Sequence, residues 1–220
     1  MATVLRFTVN PFQENTFVVY DETGECVIVD PGCSNSREQE ALRDAITRNN
    51  LTPVRLLNTH CHVDHVFGNR FVADTWNLSL EIHRGEVPVL KAAAEFAAAF
   101  GLSMETSPEP GAFLEDGDVV RFGNTELAVR FTPGHSPASI SFYCAGSAFL
   151  LGGDVLFLDS IGRTDLPGGD MATLMASIER EVLSLDDAVV VHPGHGPDTT
   201  VGRERRENPF MRAHLRGERF

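Results

Sequence analysis

Lysine is almost missing from this chain of 220 residues: Lys91 stands beside seventeen arginines, and the 18 cations face 31 carboxylates for a formal charge of −13. A field of that sign argues against nonspecific attraction to nucleic acid or anionic membrane, so neither is expected as a partner. No apolar run approaches the roughly 20 residues that span a bilayer. The opening MATVLRFTVNPF has no basic stretch followed by an apolar block, which reads as the absence of a signal peptide and predicts a cytoplasmic protein. The four cysteines, Cys26, Cys33, Cys61 and Cys144, contain no CxxC pair, and free thiols are expected rather than a disulfide framework. With 42% hydrophobic and 22% charged residues, disordered and low-complexity classes are out, and the chain is long enough to bury a core unaided. One domain over residues 1–220 is expected. It ends in a basic helix or tail from about 200 to 220, with six arginines between Arg203 and Arg219.

Short apolar or alternating runs predict strands at 4–9, 16–20, 25–29, 54–58, 80–83, 119–122, 126–131, 139–144, 148–151 and 188–191. Turn residues around Gly123–Asn124 and Gly146 predict two hairpins. Helical stretches fall between the strand groups. Ser36-Arg37-Glu38-Gln39 reads as a capping box ahead of Leu42 and Ile46, the alanine-rich 86–100 reads as a helix, and Asp170 can cap a helix in which Leu174, Ile178 and Val182 recur. Thr199 or Thr200 starts a last helix running to about Asn208, and 103–111 reads as a surface loop. Strand clusters mixed with helices give a layered α/β protein with sheets between helices.

The strongest local signal is Thr59-His60-Cys61-His62-Val63-Asp64-His65, an HxHxDH segment directly after a predicted strand. Three imidazoles and a carboxylate within six residues are an unfavourable core: each needs a partner, and neighbouring imidazolium charges repel. A divalent cation relieves both problems, because neutral imidazole nitrogen and carboxylate oxygen are ligands it accepts. Three more candidates lie in glycine-bearing loops after strands: His135 in TPGHS, Asp154 in GGD and His195 in HPGHG. Strand ends in layered α/β folds converge where sites form. Seven ligands suit two cations better than one, with one carboxylate shared between them. Cys61 alternates away from His60 and His62 and is expected to pack rather than ligate. His83 is expected to bond locally, His192 to support the loop bearing His195, and His214 to be exposed.

The ordered set HxHxDH, His, Asp, His resembles the metallo-β-lactamase fold superfamily, which implies a four-layer αββα sandwich. THCHVDH, TPGHSPASISFY, GGDVLF, IGRTDLPGG, HPGHGPDTT and the late ENPF are most similar to glyoxalase II-type thioesterases, the hydroxyacylglutathione hydrolases, in the short form lacking a C-terminal helical domain. The resemblance implies that His60, His62 and His135 hold one metal and that Asp64, His65 and His195 hold the other. Asp154 would bridge them, and its presence points away from antibiotic hydrolysis. The ions implied are zinc, with iron or manganese acceptable to the same ligands. The reaction implied is hydrolysis of a small-molecule thioester such as S-lactoylglutathione. A hydroxide bridging the ions attacks the carbonyl, with Asp64 and Asp154 as the catalytic carboxylates.

The longer enzymes of that type use a lysine and a tyrosine where this chain reads Ile161-Gly162-Arg163-Thr164-Asp165. Arg163 keeps the positive charge as a candidate substrate-binding residue, while Asp165 removes the aromatic contact. An Arg163–Asp165 pair that only fixes the loop is the plainer alternative. THCHVDH and GRTD are also similar to persulfide dioxygenases of this fold, which implies the rival of a one-iron site made from His60, His135 and Asp154. A non-enzymatic metal-binding or regulatory protein is the alternative from another class.

Overall fold

A computed structural model describes residues 1–217; residues 218–220, including Arg219 of the expected basic tail, lie outside the described residues. Strands β1 (Thr3–Val9), β2 (Glu14–Tyr20) and β3 (Glu25–Val29) lead to helix α1 (Ser36–Arg48). Then come β4 (Thr52–Leu57), α2 (Val63–Val66), α3 (Asn69–Trp76), β5 (Leu80–Ile82), α4 (Val87–Ala99) and β6 (Pro110–Phe113). The second half runs β7 (Val119–Phe122), β8 (Thr125–Phe131), β9 (Ile140–Cys144), β10 (Phe149–Gly153), β11 (Leu156–Phe157), β12 (Ser160–Ile161) and α5 (Met171–Ser177). It closes with β13 (Val190–Pro193), β14 (Thr199–Thr200), α6 (Val201–Glu207) and α7 (Pro209–Leu215).

Two six-stranded sheets form, ordered β1-β2-β3-β4-β5-β6 and β14-β13-β10-β9-β8-β7, and β11 pairs with β12 beside them. The alternation of side chains along each strand makes the layers. On β2 and β3, Val18, Cys26 and Ile28 turn toward α1, α3 and α4, where Leu42, Ile46, Val72, Ala73, Leu90 and Ala93 are buried. Phe17, Val19, Val27 and Val29 turn the other way and meet Val129, Ile140, Phe142 and Leu151 of the second sheet. Leu150 and Val191 leave that sheet on its far side and pack on Leu174, Ile178, Val201 and Met211. Helix, sheet, sheet, helix is therefore the layer order, an αββα sandwich. A one-residue slip in β2 would exchange its two apolar faces, so the register is held from both sides.

Several local expectations change. Helix α1 is capped by Asn35, which accepts from the Glu38 amide at 3.1 Å, and not by Ser36. The Glu38 carboxylate is thereby free to accept from the backbone amides of Ser34 at 2.7 Å and Asn10 at 3.0 Å. Part of the expected 103–111 loop is the start of β6, a parallel edge strand on β5. Helix α3 has no side-chain cap and only eight residues, which is why its pattern is weak in the sequence. Asp170 and Thr200 cap α5 and α6 as expected. The chain continues past Asn208 as α7, because the Asn208 side chain accepts from the Phe210 and Met211 amides and restarts the helix.

The arginines of α6 are engaged. Arg203 forks onto Asp159 at 2.8 and 2.9 Å, Arg206 reaches Asp187 at 3.0 Å, and Arg205 bonds the Leu185 carbonyl at 3.0 Å. They fasten this helix to loops rather than presenting a free basic face. His214 hydrogen-bonds Glu179 at 3.1 Å instead of standing free in solvent.

Candidate metal centre

Four strand ends deliver the site. The segment His60–His65 follows β4, His135 follows β8, Asp154 follows β10, and His195 follows β13. The first segment starts extended and turns into α2 at Val63, with His62 at the helix N-cap. Two glycines make the close approach possible. A Cβ on Gly194 would run into the Asp154 carboxylate and the His65 ring. Gly134, at φ +127, would meet the backbone of Leu174. Asn15 on β2 grips the loop bearing His195 with three donated hydrogen bonds: its backbone amide donates to the Gly194 carbonyl at 2.7 Å and its side chain to the Pro193 and Gly196 carbonyls at 3.0 and 2.9 Å. One sheet thus positions a ligand carried by the other.

The seven residues meet. The Nδ1 of His62 lies 2.9 Å from the Nε2 of His135, and the His60 ring stands edge-on to both, 4.8 and 4.9 Å away between centroids. The Nε2 of His195 lies 3.1 Å from Asp64 Oδ2, and the Nε2 of His65 lies 3.8 Å from the same oxygen. Asp154 sits between the two trios, with Oδ1 3.4 Å from His65 and Oδ2 3.5 Å from His135 and 3.4 Å from His195.

A layer behind the rings sets which nitrogen faces inward. The Nδ1 atoms of His65, His135 and His195 lie 3.1 Å from Asp30 Oδ2, 2.8 Å from the Arg163 carbonyl and 3.1 Å from the Phe12 carbonyl. The Nδ1 of His60 lies 3.1 Å from Thr59 Oγ1, whose own proton goes to Asp30 at 2.6 Å. In these four rings Nδ1 therefore donates outward and Nε2 is left for the centre, whereas His62 turns its Nδ1 inward.

Burial, followed by the charges of His65 and His62, keeps the His60 imidazole neutral well below its usual range. Burial, with His135 beside it, pushes His62 down to about 4. Burial alone would raise the Asp154 carboxyl, but His65, His135 and His195 outweigh it and hold the group well below the usual carboxylate range. Burial would likewise depress His65, but Asp154 and Asp64 outweigh it and raise that group. Neutral His60 and His62 and ionised Asp154 are forms that coordinate a cation, and the carboxylates that favour positive charge on His65 would favour a cation in the place of its proton. His60 Nε2, His65 Nε2 and Asp154 Oδ1 are buried and have no hydrogen-bond partner in the protein. Unpaired buried atoms of this kind are costly unless a ligand takes them. His60, His62 and His135 form one group, and Asp64, His65 and His195 another, with donor atoms in each within 4.8 Å of one another. The donor set fits two divalent cations.

Asp30 was not singled out in the sequence, although it ends the strand-like run VIVD. It too lies within reach of His60 and His65. Its oxygens accept from the Thr59 amide and hydroxyl and face His65 Nδ1, which places it behind the rings rather than in the ring of donors. Glu86 was also missed. It is fully buried and accepts from the Cys61 amide at 2.9 Å, the Ala138 amide at 2.8 Å and the Ser136 hydroxyl at 2.7 Å, tying the loops of His60 and His135 together. Cys61 packs in the core, as alternation predicts, and His83 accepts from the Gly85 amide. His192 pairs with Asp198 at 3.0 Å, three residues beyond His195. Arg163 forks onto Asp165 with two contacts of 2.7 Å, and both side chains are exposed.

The centre opens into a cavity of about 730 Å³, whose floor includes His62, Asp64, His135, Asp154 and His195. Residues 9–195 match the metallo-beta-lactamase superfamily, and the chain belongs to it. It is a metal-dependent enzyme of the metallo-hydrolase class. Among its relatives, the probable metallo-hydrolase YqgX of Bacillus subtilis is 36% identical over 94% of this chain and 96% of its own. The hydroxyacylglutathione hydrolase GloC of Haemophilus influenzae is 34% identical over 92% and 95%. Two solved structures superimpose closely. The B3 metallo-beta-lactamase BLEG-1 has a TM-score of 0.88 and 38% identity, covering 95% of this chain and 99% of that one. TTHA1623 in a di-iron-bound form has a TM-score of 0.84 and 39% identity, covering 94% and 100%.

Proposed function

We propose that the protein is a dinuclear metal-dependent thioesterase with chemistry of the glyoxalase II type. The observation that carries this reading is the position of Asp154, whose two oxygens face His65 on one side and His135 and His195 on the other. His60, His62 and His135 would hold one cation, Asp64, His65 and His195 the second, and Asp154 both. Bound there, the ions supply a water made acidic enough to attack at neutral pH and positive charge for the oxygen that develops on the substrate carbonyl.

The chain's own residues prepare that site. The Nδ1 donors to Asp30, Phe12 and Arg163 hold the rings in one tautomer and orientation. Asp64 borders the cavity, where it would accept a hydrogen bond from the attacking water. A thiolate is a good leaving group, so no strong acid is needed above the floor. GloC, a named hydroxyacylglutathione hydrolase, supports the reading by its similarity along nearly the whole chain. A one-iron oxidative site would use His60, His135 and Asp154 and leave Asp64, His65 and His195 without a task.

The test is metal analysis joined to four assays: S-lactoylglutathione, a thioester of a small neutral thiol, a chromogenic β-lactam, and glutathione persulfide with oxygen uptake. Two metal ions per chain with thioester cleavage as the fastest reaction is the expected result. One iron with oxygen consumption, or β-lactam opening faster than any thioester, would replace it. The protein is expected to act on its small substrate in the cytoplasm.

A further inference from the structure

Helix α4 is apolar on two faces. Leu90, Ala93 and Ala97 are buried against the protein. A second stripe, Pro88, Ala92, Phe96 and Phe100, recurs every fourth residue and lines the cavity above the metal centre. Every fourth residue is one side of a helix, and a surface helix ordinarily keeps that second side polar. Here Phe96 and Phe100 remain 40% and 57% exposed. Phe100 meets Phe12 edge-on at 5.7 Å and Phe96 at 5.5 Å, so the three rings form one wall. That wall is continuous with the floor, since the Phe12 carbonyl faces His195 Nδ1 at 3.1 Å. Phe157 and Leu166 also line the cavity.

Polar groups lie chiefly at the bottom of this cavity. Among the described residues that line it, Arg163 is the sole arginine or lysine, and Asp165 already occupies its guanidinium. A peptide thiol bearing carboxylates finds no unengaged cation there. A carbonyl attached to a hydrocarbon finds both of its needs: at the floor the ligand cluster, whose bound ions would polarise it, and apolar surface above. Helix α4 rises about 12 Å between Ala92 and Phe100, which is the reach of a medium-length chain.

We infer that the cavity selects thioesters of apolar acyl chains, with the carbonyl over the seven-ligand cluster and the hydrocarbon along the Pro88–Phe100 stripe. The inference rests on the thioesterase reading and names its substrate class. Water adds to the carbonyl carbon, the C–S bond breaks with its electron pair on sulfur, and one proton of the water goes to the thiolate. The products are the acyl carboxylate, the thiol and one released proton.

Two measurements on the full metal-loaded chain test it. The first is kcat/KM for acetyl, butyryl, hexanoyl and octanoyl thioesters of N-acetylcysteamine, with S-lactoylglutathione alongside. The second is calorimetric binding of acetate, butyrate, hexanoate and octanoate, which needs no turnover. Each added methylene is expected to improve both by roughly two- to fourfold until the wall is filled, with octanoyl above S-lactoylglutathione. Phe96→Ala and Phe100→Ala are expected to lose most on the longest chain, roughly tenfold, and progressively less on shorter ones. Circular dichroism and metal content are expected to match the parent, since both positions are exposed.

Flat chain-length profiles in both measurements overturn the inference while thioester cleavage stands. A dimer that Phe100→Ala dissolves, with flat profiles, also overturns it, because the stripe is then a contact between copies. Length-dependent binding without cleavage of any thioester keeps the apolar selection and overturns the hydrolase reading instead.

Discussion

The floor and the wall of the cavity are built on different principles. On the floor the rings of His65, His135 and His195 are held twice, by their neighbours in the cluster and by an oxygen behind each: Asp30, the Arg163 carbonyl and the Phe12 carbonyl. Glu86 and Asn15 then bind the loops to one another. On the wall, Phe12, Phe96 and Phe100 touch only through ring edges and faces, on one short turn and one helix. Hydrogen-bond networks specify geometry, because each donor demands its acceptor. Apolar contact tolerates exchange so long as volume and polarity are kept. On the proposed reading the floor fixes which reaction is possible, and the wall decides which molecule is presented to it.

That contrast can be broken in order of severity. Asp154→Ala removes the carboxylate common to both trios, and at least about a 10³-fold loss of kcat/KM is expected together with loss of bound metal. Full metal content by elemental analysis with a normal rate would show that Asp154 is not shared. Glu86→Ala leaves two backbone amides and a hydroxyl without their acceptor in a buried place. A loss of about 3 kcal/mol in denaturant unfolding is expected. An unchanged midpoint would mean that the two ligand loops hold their positions independently.

Asp21 serves as a comparison distant from both regions. Burial alone would raise its carboxyl, but hydrogen bonds from Thr23, Thr125 and Asn124 outweigh it and lower it to about 2. A group depressed on folding stabilises fully above its unfolded value and loses that contribution as pH falls through the folded one. Asp21→Asn is thus expected to be about 1–2 kcal/mol less stable than the parent at neutral pH, with the gap closing as pH falls from about 4 to about 2. A gap that stays constant over that range would remove the carboxylate's charge from the explanation. Arg163→Ala is the mildest change. Its pair with Asp165 is exposed, and such pairs contribute little. Less than about a twofold change is expected on a thioester of a neutral thiol, as read from kcat/KM. A tenfold rise in KM would return Arg163 to substrate binding.

The strands and the long helices were legible in the sequence because two- and four-residue periodicities survive without tertiary help, as in Val119–Phe122 and in Leu42 with Ile46. Helix α3, with eight residues and no side-chain cap, the edge strand β6 and the two-residue strands β11, β12 and β14 were not, because neighbours rather than local pattern make them. Helix α7 was not legible either: Pro209 reads as a stop, and the Asn208 cap restarts the helix instead. Four of the seven candidate ligands stand out within His60–His65 by density alone. His135, Asp154 and His195 were legible through glycine beside a strand end, a weaker signal that gained force from the family resemblance. Asp30 and Glu86 carry no such signal, since a single buried acid looks in sequence like any surface acid.

The order of residues by itself determined the ligand inventory, the alternation that makes four layers, and the stripe of α4, because these are properties of residue type and spacing. Only the tertiary structure decided that Asp154 lies between two trios, that Asp30 stands behind His65, and that the arginines of α6 are spent on loop contacts. The physical reason is range. Periodicity acts over neighbouring residues, whereas an imidazole's tautomer or an arginine's partner depends on which distant oxygen the packed layers bring within about 3 Å.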